Sequence, residues 1–215
     1  RRVMLLALMP AWGYSTASST LVGQRLGADD PDEAAEYGWQ TLRIALVTQL
    51  LIGAALFAAA TPVARAFDAG NLDLTVTFIR VFGLSVAGFS VARTLRGGLR
   101  GAGDTRWPLY GGLLGTYVVR LPLAFLALPV GRVIAAGPWT VDLTLQSFSL
   151  GPLTVPTVAL GALTIPGLSF APGMGWGLAA IFAAILGDMY TRAAVNLVRF
   201  RSGAWRAYGR PTTAD

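Results

Sequence analysis

The stretch "LRGGLRGAGDTRWP" (95–108) lies between two apolar segments and contains four glycines, three arginines and one aspartate. A phosphate-binding loop and a turn between two membrane helices both have this composition. A phosphate-binding loop requires a preceding strand and a Gly-Lys-Ser/Thr ending, and neither pattern occurs here. We therefore predict a cytoplasmic loop over 93–108, in which glycines permit a tight reversal and Pro108 opens the next helix. The residues that define this loop motif are Arg96, Gly101, Gly103, Asp104 and Arg106.

The overall composition indicates a membrane protein in contact with the lipid bilayer. Of the 215 residues, 54% are hydrophobic and 13% are charged, whereas soluble domains average about 25% charged residues. The net charge of +6 does not indicate a nucleic-acid partner, because the cytoplasmic loops of membrane proteins are commonly basic. The chain has no cysteine and no histidine, which excludes disulfides, thiolate metal sites and a histidine base. We expect no cofactor, no metal site and no enzymatic activity.

The hydropathy pattern predicts an all-α polytopic bundle of five transmembrane helices, since a span needs roughly 20 mostly apolar residues. The predicted helices cover about 3–22, 31–61, 74–92, 109–130 and 175–198. Asp30 and Pro31 favour the start of the second helix, as N-cap and first helical residue. The first helix contains Pro10 and many small polar residues.

The segment 131–173 is apolar but differs from the predicted spans. Glycine or proline recurs every few residues, which a spanning helix does not tolerate easily. The alternation in "TVDLTLQSFSL" (140–150) favours short strands. We predict a long extracytoplasmic loop that holds a short β-hairpin, with a re-entrant segment as the alternative.

The distribution of arginine predicts the orientation of the chain. The loops 23–40 and 93–108 and the tail 199–215, together with Arg43, contain ten of the seventeen basic residues. The opposite side carries five: Arg1, Arg2, Arg65, Arg80 and Arg132. Because cytoplasmic loops carry the excess of positive charge, we expect the N-terminus outside and the C-terminus in the cytoplasm.

Four stretches resemble the MATE (multidrug and toxic compound extrusion) transporters. "LVGQRLGADDPDEAAEYG" (21–38) resembles the end of the second helix of a lobe, and "LRGAGDTRWPL" (99–109) resembles the loop between the fourth and fifth helices. "GLAAIFAAILGDMYTRAAVNLVRFRSGAW" (177–205) and "RLPLAF" (120–125) resemble the C-terminal lobe. The resemblance implies that 1–205 is a C-terminal lobe lacking its first helix, followed by a cytoplasmic tail over 206–215. The missing N-terminal lobe would then be a partner.

The resemblance also implies a function. MATE transporters export drugs and organic cations in exchange for Na⁺ or H⁺, by alternating access of two lobes. The resemblance implies coupling carboxylates in the N-terminal lobe or, in one subgroup, partly on the helix that corresponds to 74–92. Because 74–92 has no carboxylate inside the span, we expect the coupling ion to bind mainly outside this fragment. A lipid-linked precursor flippase of the same superfamily and a non-transporting membrane scaffold are the alternatives. An intramembrane enzyme is disfavoured, because only one carboxylate lies in the middle of a span.

The last two predicted spans, 109–130 and 175–198, contain three charged residues, although charges inside a membrane are rare and usually face the protein interior or water. They are Arg120, Asp188 and Arg192. Arg192 follows Asp188 by four residues and shares its helix face, and Arg120 lies at a similar depth on an antiparallel helix. We predict that Asp188 pairs with Arg120, Arg192 or both. The cluster either lines a cavity and takes part in gating, or is a structural ion pair between two helices.

A second set of polar residues is a candidate cavity lining. Small polar residues permit close helix packing or line a substrate passage, and aromatic rings can bind a cation. The candidate residues are Tyr14, Ser15, Ser18, Ser19, Gln24 and Tyr117.

Overall fold

A computed structural model describes residues 2–67, 70–130 and 174–208, and six short strands between 134 and 170. The helices are α1 (Arg2–Gly27), α2 (Pro31–Ala58), α3 (Ala60–Ala66), α4 (Leu72–Gly101), α5 (Arg106–Leu126) and α6 (Gly177–Arg201), followed by a 3₁₀ turn at Ala204–Ala207. Within α5, residues Leu114–Arg120 are π-helical. The predicted fold class, an all-α polytopic bundle with a β-hairpin insertion, is confirmed.

Four of the described helices, α2, α4, α5 and α6, are long and apolar enough to cross a membrane. The 26-residue α1 is long enough but is not among them, because its serines and threonines lower the mean hydropathy. Many large apolar side chains are exposed on the helix surfaces; Val47, Leu51 and Val198, for example, are each at least 60% exposed. Such a surface suits a lipid environment, in which apolar side chains need no burial in protein.

The predicted loop over 93–108 is wrong in its extent. Helix α4 continues through the glycines to Gly101, and only residues 102–105 form the turn before α5 begins at Arg106. Pro108 is the third residue of α5, not its opening residue. The predicted second helix over 31–61 is divided at Ala59 into α2 and α3. The predicted start of α2 is confirmed, with Asp30 accepting a hydrogen bond of 3.0 Å from the Glu33 N–H.

Glycines of α4 face the backbone of α1. A Cβ atom on Gly97 would overlap the carbonyl group of Ser15, and a Cβ atom on Gly101 would overlap that of Ser19. A Cβ atom on Gly23 of α1 would in turn lie 3.1 Å from the Gly101 carbonyl oxygen. Small residues at such spacing let helix backbones approach closely in membranes. Gly97 and Gly101, which we assigned to a reversal, are therefore needed for helix packing.

A buried amide connects α2 to α1 beside Pro10. With its amide oriented to satisfy hydrogen bonding, Gln49 donates to the Ala7 carbonyl over 3.3 Å and accepts from the Ala11 N–H over 3.2 Å. Gln49 is fully buried. A proline within a helix frees backbone groups of the preceding turn, and a polar side chain from a neighbouring helix can satisfy such groups.

An apolar core lies where α1, α2, α4 and the end of α6 meet. Its largest member, Trp205, is fully buried; its ring stacks on Phe200 at 4.8 Å between centroids, and its Nε1 donates to the Phe200 carbonyl over 2.8 Å. The other buried members are Val22, Leu26, Ala34, Ala35, Leu42, Leu95, Leu99 and Ala102. The segment that follows α6 is thereby packed onto the helices as far as the described residues extend.

The insertion, 125–177, is a separate unit that contains antiparallel strand pairs. The strands are β1 (Ile134–Ala136), β2 (Trp139–Leu145), β3 (Phe148–Leu150), β4 (Leu153–Val155), β5 (Val158–Ile165) and β6 (Leu168–Phe170). They pair as β3 with β4, β2 with β5 and β1 with β6, which is the nested order of a hairpin. The longest pair aligns Trp139 with Ile165 and has an irregular register between Leu143 and Thr144.

We predict that Gly97→Ala destabilises the helical unit, because its Cβ atom meets backbone of α1 that cannot rotate away. Overpacking of this kind costs about 1–3 kcal/mol, which corresponds to a loss of roughly 5 °C in Tm for a chain of this size. The measurement is thermal unfolding of the detergent-purified protein. Gly13→Ala is the control, since nothing lies within 4 Å of a Cβ atom there. Equal Tm values for the two variants would contradict the packing assignment.

Candidate functional site

The structure brings the three intramembrane charges together. Arg192 Nε lies 2.6 Å from Asp188 Oδ1, and Arg120 Nη1 lies 3.7 Å from Asp188 Oδ2. Arg192 Nη2 also donates to Thr116 Oγ1 over 2.8 Å. The Asp188 side chain is only 1% exposed, whereas those of Arg192 and Arg120 are 28% and 54% exposed. One buried carboxylate thus interacts with two partly exposed guanidinium groups.

Glycines permit the close contact of α5 and α6 around this cluster. A Cβ atom on Gly115 would overlap the carboxylate of Asp188, and a Cβ atom on Gly187 would lie 2.7 Å from Val119 Cγ1. The π-helical segment Leu114–Arg120 carries both Thr116 and Arg120, and π-helical turns occur frequently at functional sites. The local geometry therefore depends on Gly115 as much as on the charged residues.

The cluster opens onto a cavity of about 260 Å³ between α4, α5 and α6. Its lining residues are Phe89, Ala92, Arg93, Arg96, Pro108, Arg120, Asp188, Met189, Arg192 and Asn196. Asn196 is buried and donates from Nδ2 to the Ala92 carbonyl over 2.9 Å, which ties α6 to α4. Four arginines and one aspartate therefore surround this space.

Sequence reasoning missed that Arg93 and Arg96 line the cavity, because it placed both in the cytoplasmic loop over 93–108. Because α4 remains helical, the two residues lie three positions apart on one helix face and both line the cavity. The three-residue spacing of Arg93 and Arg96 already suited one face of a helix, but the glycines that follow indicated a loop instead. The Arg93 guanidinium lies 5.0 Å from the centroid of the Trp12 ring and 5.4 Å from that of Phe89.

The candidate lining residues of α1 do not lie at this cavity. Tyr14 shares a hydrogen bond of 2.9 Å with Thr48 Oγ1, and Ser18 is buried beside Gly98. Ser15 and Ser19 line a separate groove of about 360 Å³, together with Thr16, Thr20, Gly97 and Arg100.

The two remaining candidates for the lining are exposed. They are Gln24 on α1 and Tyr117 on α5, the latter 63% exposed. A role for the whole set in lining a substrate passage stays a prediction.

The loop motif provides a second buried ion pair. Asp104 Oδ2 lies 2.6 Å from Arg199 Nε, with the two side chains 0% and 11% exposed. The Arg199 guanidinium also lies 5.2 Å from the Trp107 ring centroid and 5.7 Å from that of Tyr208. This pair fixes the turn between α4 and α5 to the end of α6.

The other motif residues have separate roles. Gly103 has a φ of +82°, a conformation that favours glycine, and it therefore suits the turn. Gly101 contacts α1, Arg96 lines the cavity and Arg106 is exposed. Among the described residues, no group of three His, Cys, Asp or Glu side chains could hold a metal ion.

Comparisons with known proteins agree on one family. The MatE family model matches residues 2–126. The chain is 28% identical over 136 residues to the probable multidrug resistance protein NorM of Thermotoga maritima, which covers 62% of this chain and 29% of that protein. It is 26% identical over 139 residues to multidrug and toxin extrusion protein 1 of Homo sapiens and of Pongo abelii, covering 64% of this chain and 24% of each relative. The chain thus matches less than a third of the length of these relatives. No solved structure matches it significantly.

We predict that Asp188→Asn destabilises the helical unit, because it removes the negative charge that faces two guanidinium groups. Breaking a buried pair costs about 3–5 kcal/mol, and the partial exposure of both arginines reduces this to about 2–3 kcal/mol. A chemical-denaturation series in detergent measures the loss. Asp73→Asn is the control, because Asp73 is exposed in the first turn of α4. Equal midpoints for the two variants would show that the cluster contributes no stability.

A second prediction concerns the Asp104–Arg199 pair. Arg199→Gln leaves a buried carboxylate without its partner, so we expect a loss of about 3 kcal/mol. The matched control is Arg206→Gln, which removes an exposed pair with Asp32, a type worth about 0–1 kcal/mol. The double variant Asp104→Asn/Arg199→Gln tests the coupling, because it should lose less stability than the two single variants added together. Strict additivity would refute the pairing as an energetic unit.

Proposed function

The chain belongs to the MatE family, and from that membership we propose that it is part of a secondary active antiporter that exports drugs or organic cations. Na⁺ or H⁺ moving down its gradient would drive the export. The observation that carries the proposal is the family match over five of the six helices described, α1 to α5. The names of the relatives, multidrug resistance protein and multidrug and toxin extrusion protein, support export as the direction of transport.

The proposed mechanism is alternating access by rocking of two lobes, the general pattern for transporters built from repeats. The close α1–α4 contacts and the buried Trp205 suit a unit that moves as a rigid body. The partner in this mechanism is an N-terminal lobe, together with the first helix of the present lobe. We propose that the C-terminus lies in the cytoplasm and that the β-hairpin insertion lies outside, as the arginine distribution predicts.

We propose that the coupling ion binds mainly outside this chain. Asp188, a carboxylate in the middle of α6, already interacts with two guanidinium groups. A carboxylate so neutralised has little attraction left for Na⁺. Its pairing instead suits a structural or gating role at the α5–α6 contact. The excess of arginine in the cavity is the one observation that favours the flippase alternative.

Efflux of a fluorescent monovalent cation tests the proposed function. Proteoliposomes containing the complete gene product are loaded with ethidium, and a Na⁺ gradient or a pH gradient is imposed in separate experiments. We expect one gradient to drive ethidium movement and its ionophore to abolish it, because the antiporter has no other energy source. Movement that persists at full rate without any gradient, or no movement under either, would refute the proposal.

A further inference from the structure

The cavity between α4, α5 and α6 carries an excess of positive charge. The negative charge of Asp188 is offset by Arg192 at 2.6 Å and by Arg120 at 3.7 Å. Among the described residues, neither Arg93 nor Arg96 has a carboxylate within salt-bridge distance. The end of the cavity at Arg93 and Arg96 therefore holds two guanidinium groups whose charges the described part of the chain does not offset.

These two arginines differ from arginines whose side chains extend into the lipid headgroup region. Arg43 and Arg106 are exposed, as an arginine side chain that extends toward the headgroups must be. Arg93 instead packs its guanidinium against two aromatic rings, and Arg96 has a buried Nε atom without a hydrogen-bond partner in the described structure. An unsatisfied donor of a charged group in a membrane span is costly. A ligand that accepts its hydrogen bond would remove that cost.

The shape and lining of the cavity restrict the ligand. Its volume of about 260 Å³ lies just below the range of about 300–1,000 Å³ that is usual for drug-sized ligands. It therefore suits a small polar group, with the remainder of a larger molecule outside. Phe89, Pro108 and Met189 add apolar surface beside the arginines. The guanidinium group pairs best with planar or tetrahedral oxyanions, because its fork of donors matches their oxygen atoms.

We propose that this cavity binds an oxyanion, a phosphate or carboxylate group, through Arg93 and Arg96, and that this group belongs to one class of the transported substrates. The proposal rests on the proposed function, because it names the substrate chemistry of that transporter. A substrate that uses this cavity then carries negative charge, alone or beside a cationic group, whereas a simple cation such as ethidium would not bind at Arg93 and Arg96. The charge can come from a lipid headgroup or from a soluble molecule. Asp188 contributes by holding Arg120 and Arg192 in the lining of the same cavity.

Binding to the complete gene product in detergent and phosphate-free buffer tests the proposal. The probes are dihexanoyl phosphatidic acid, inorganic phosphate and hexanoate, with ethidium as a cationic comparison, and the readout is isothermal titration calorimetry. We expect at least one oxyanion probe to bind. Arg96→Gln and Arg93→Gln should each weaken that binding about tenfold or more, the effect of losing a hydrogen bond to a charged group. Arg43→Gln, an exposed arginine on α2, is the matched control and should bind as the unchanged protein does.

The variant Arg96→Lys separates a binding role from a structural one. It keeps the positive charge but loses the fork of donors, so we expect an intermediate affinity at an unchanged Tm. Binding of phosphatidic acid alone would identify a lipid headgroup as the source, and equal binding of inorganic phosphate would identify a soluble oxyanion. Absence of binding by every oxyanion, or equal affinities for Arg96→Gln and the unchanged protein, would overturn the proposal.

The ethidium efflux experiment distinguishes a failure of the oxyanion-site proposal from a failure of the proposed function. Gradient-driven ethidium efflux without oxyanion binding would overturn only the cavity assignment. Oxyanion binding that depends on Arg93 and Arg96, without efflux under either gradient, would overturn the antiport proposal and the role of the oxyanion as a substrate, but not the binding site.

Discussion

The contact between the backbones of α1 and α4 is the constraint on which the rest of the helical unit depends. It requires glycine at 97 and 101, because a Cβ atom at either position would overlap a carbonyl group of α1. Glycine weakens a helix by about 1 kcal/mol relative to alanine, so this segment is a poor helix in isolation. Packing against α1 offsets that cost and keeps α4 helical to Gly101. Arg93 and Arg96 consequently lie on a helix, at a fixed spacing and on the side that lines the cavity.

The charged residues obey a second constraint, since a charge in the membrane needs a partner or water. The helical unit meets this requirement at two places. Asp104 and Arg199 form a buried pair between the α4–α5 turn and the end of α6, covered by Trp107 and Tyr208. Asp188 lies about 16 Å from the level of Arg199, as eleven helical residues imply, and pairs with arginines that are partly exposed. The first pair is enclosed as a structural contact requires, whereas the second adjoins a cavity.

Much of the fold could be predicted from the sequence, because hydropathy and capping are local signals. The start of α2 follows from Asp30 and Pro31, and the strand pairs follow from alternation in the insertion. The extent of α4 could not be predicted in the same way. A glycine suits both a turn and a close helix contact, and the partner helix decides between them. Ser15 and Ser19 have the same four-residue spacing as Gly97 and Gly101, but only the packed structure shows that the two pairs face each other. The placement of Arg93 and Arg96 was missed for that reason.

The ion pairs of Asp188 are unequal, and this inequality connects the cavity to the helix contact. Arg192 approaches the carboxylate at 2.6 Å and is also held by Thr116, whereas Arg120 lies at 3.7 Å and is more than half exposed. Attraction between charges falls with distance and with access of water, so Arg120 is the weaker partner. An oxyanion in the cavity would compete with Asp188 for Arg120 before it could compete for Arg192. Because Arg120 ends the π-helical segment of α5, a change of partner there would act on α5 while α6 kept its strong pair. Binding of the proposed oxyanion would therefore reach the α5–α6 contact through one side chain, Arg120.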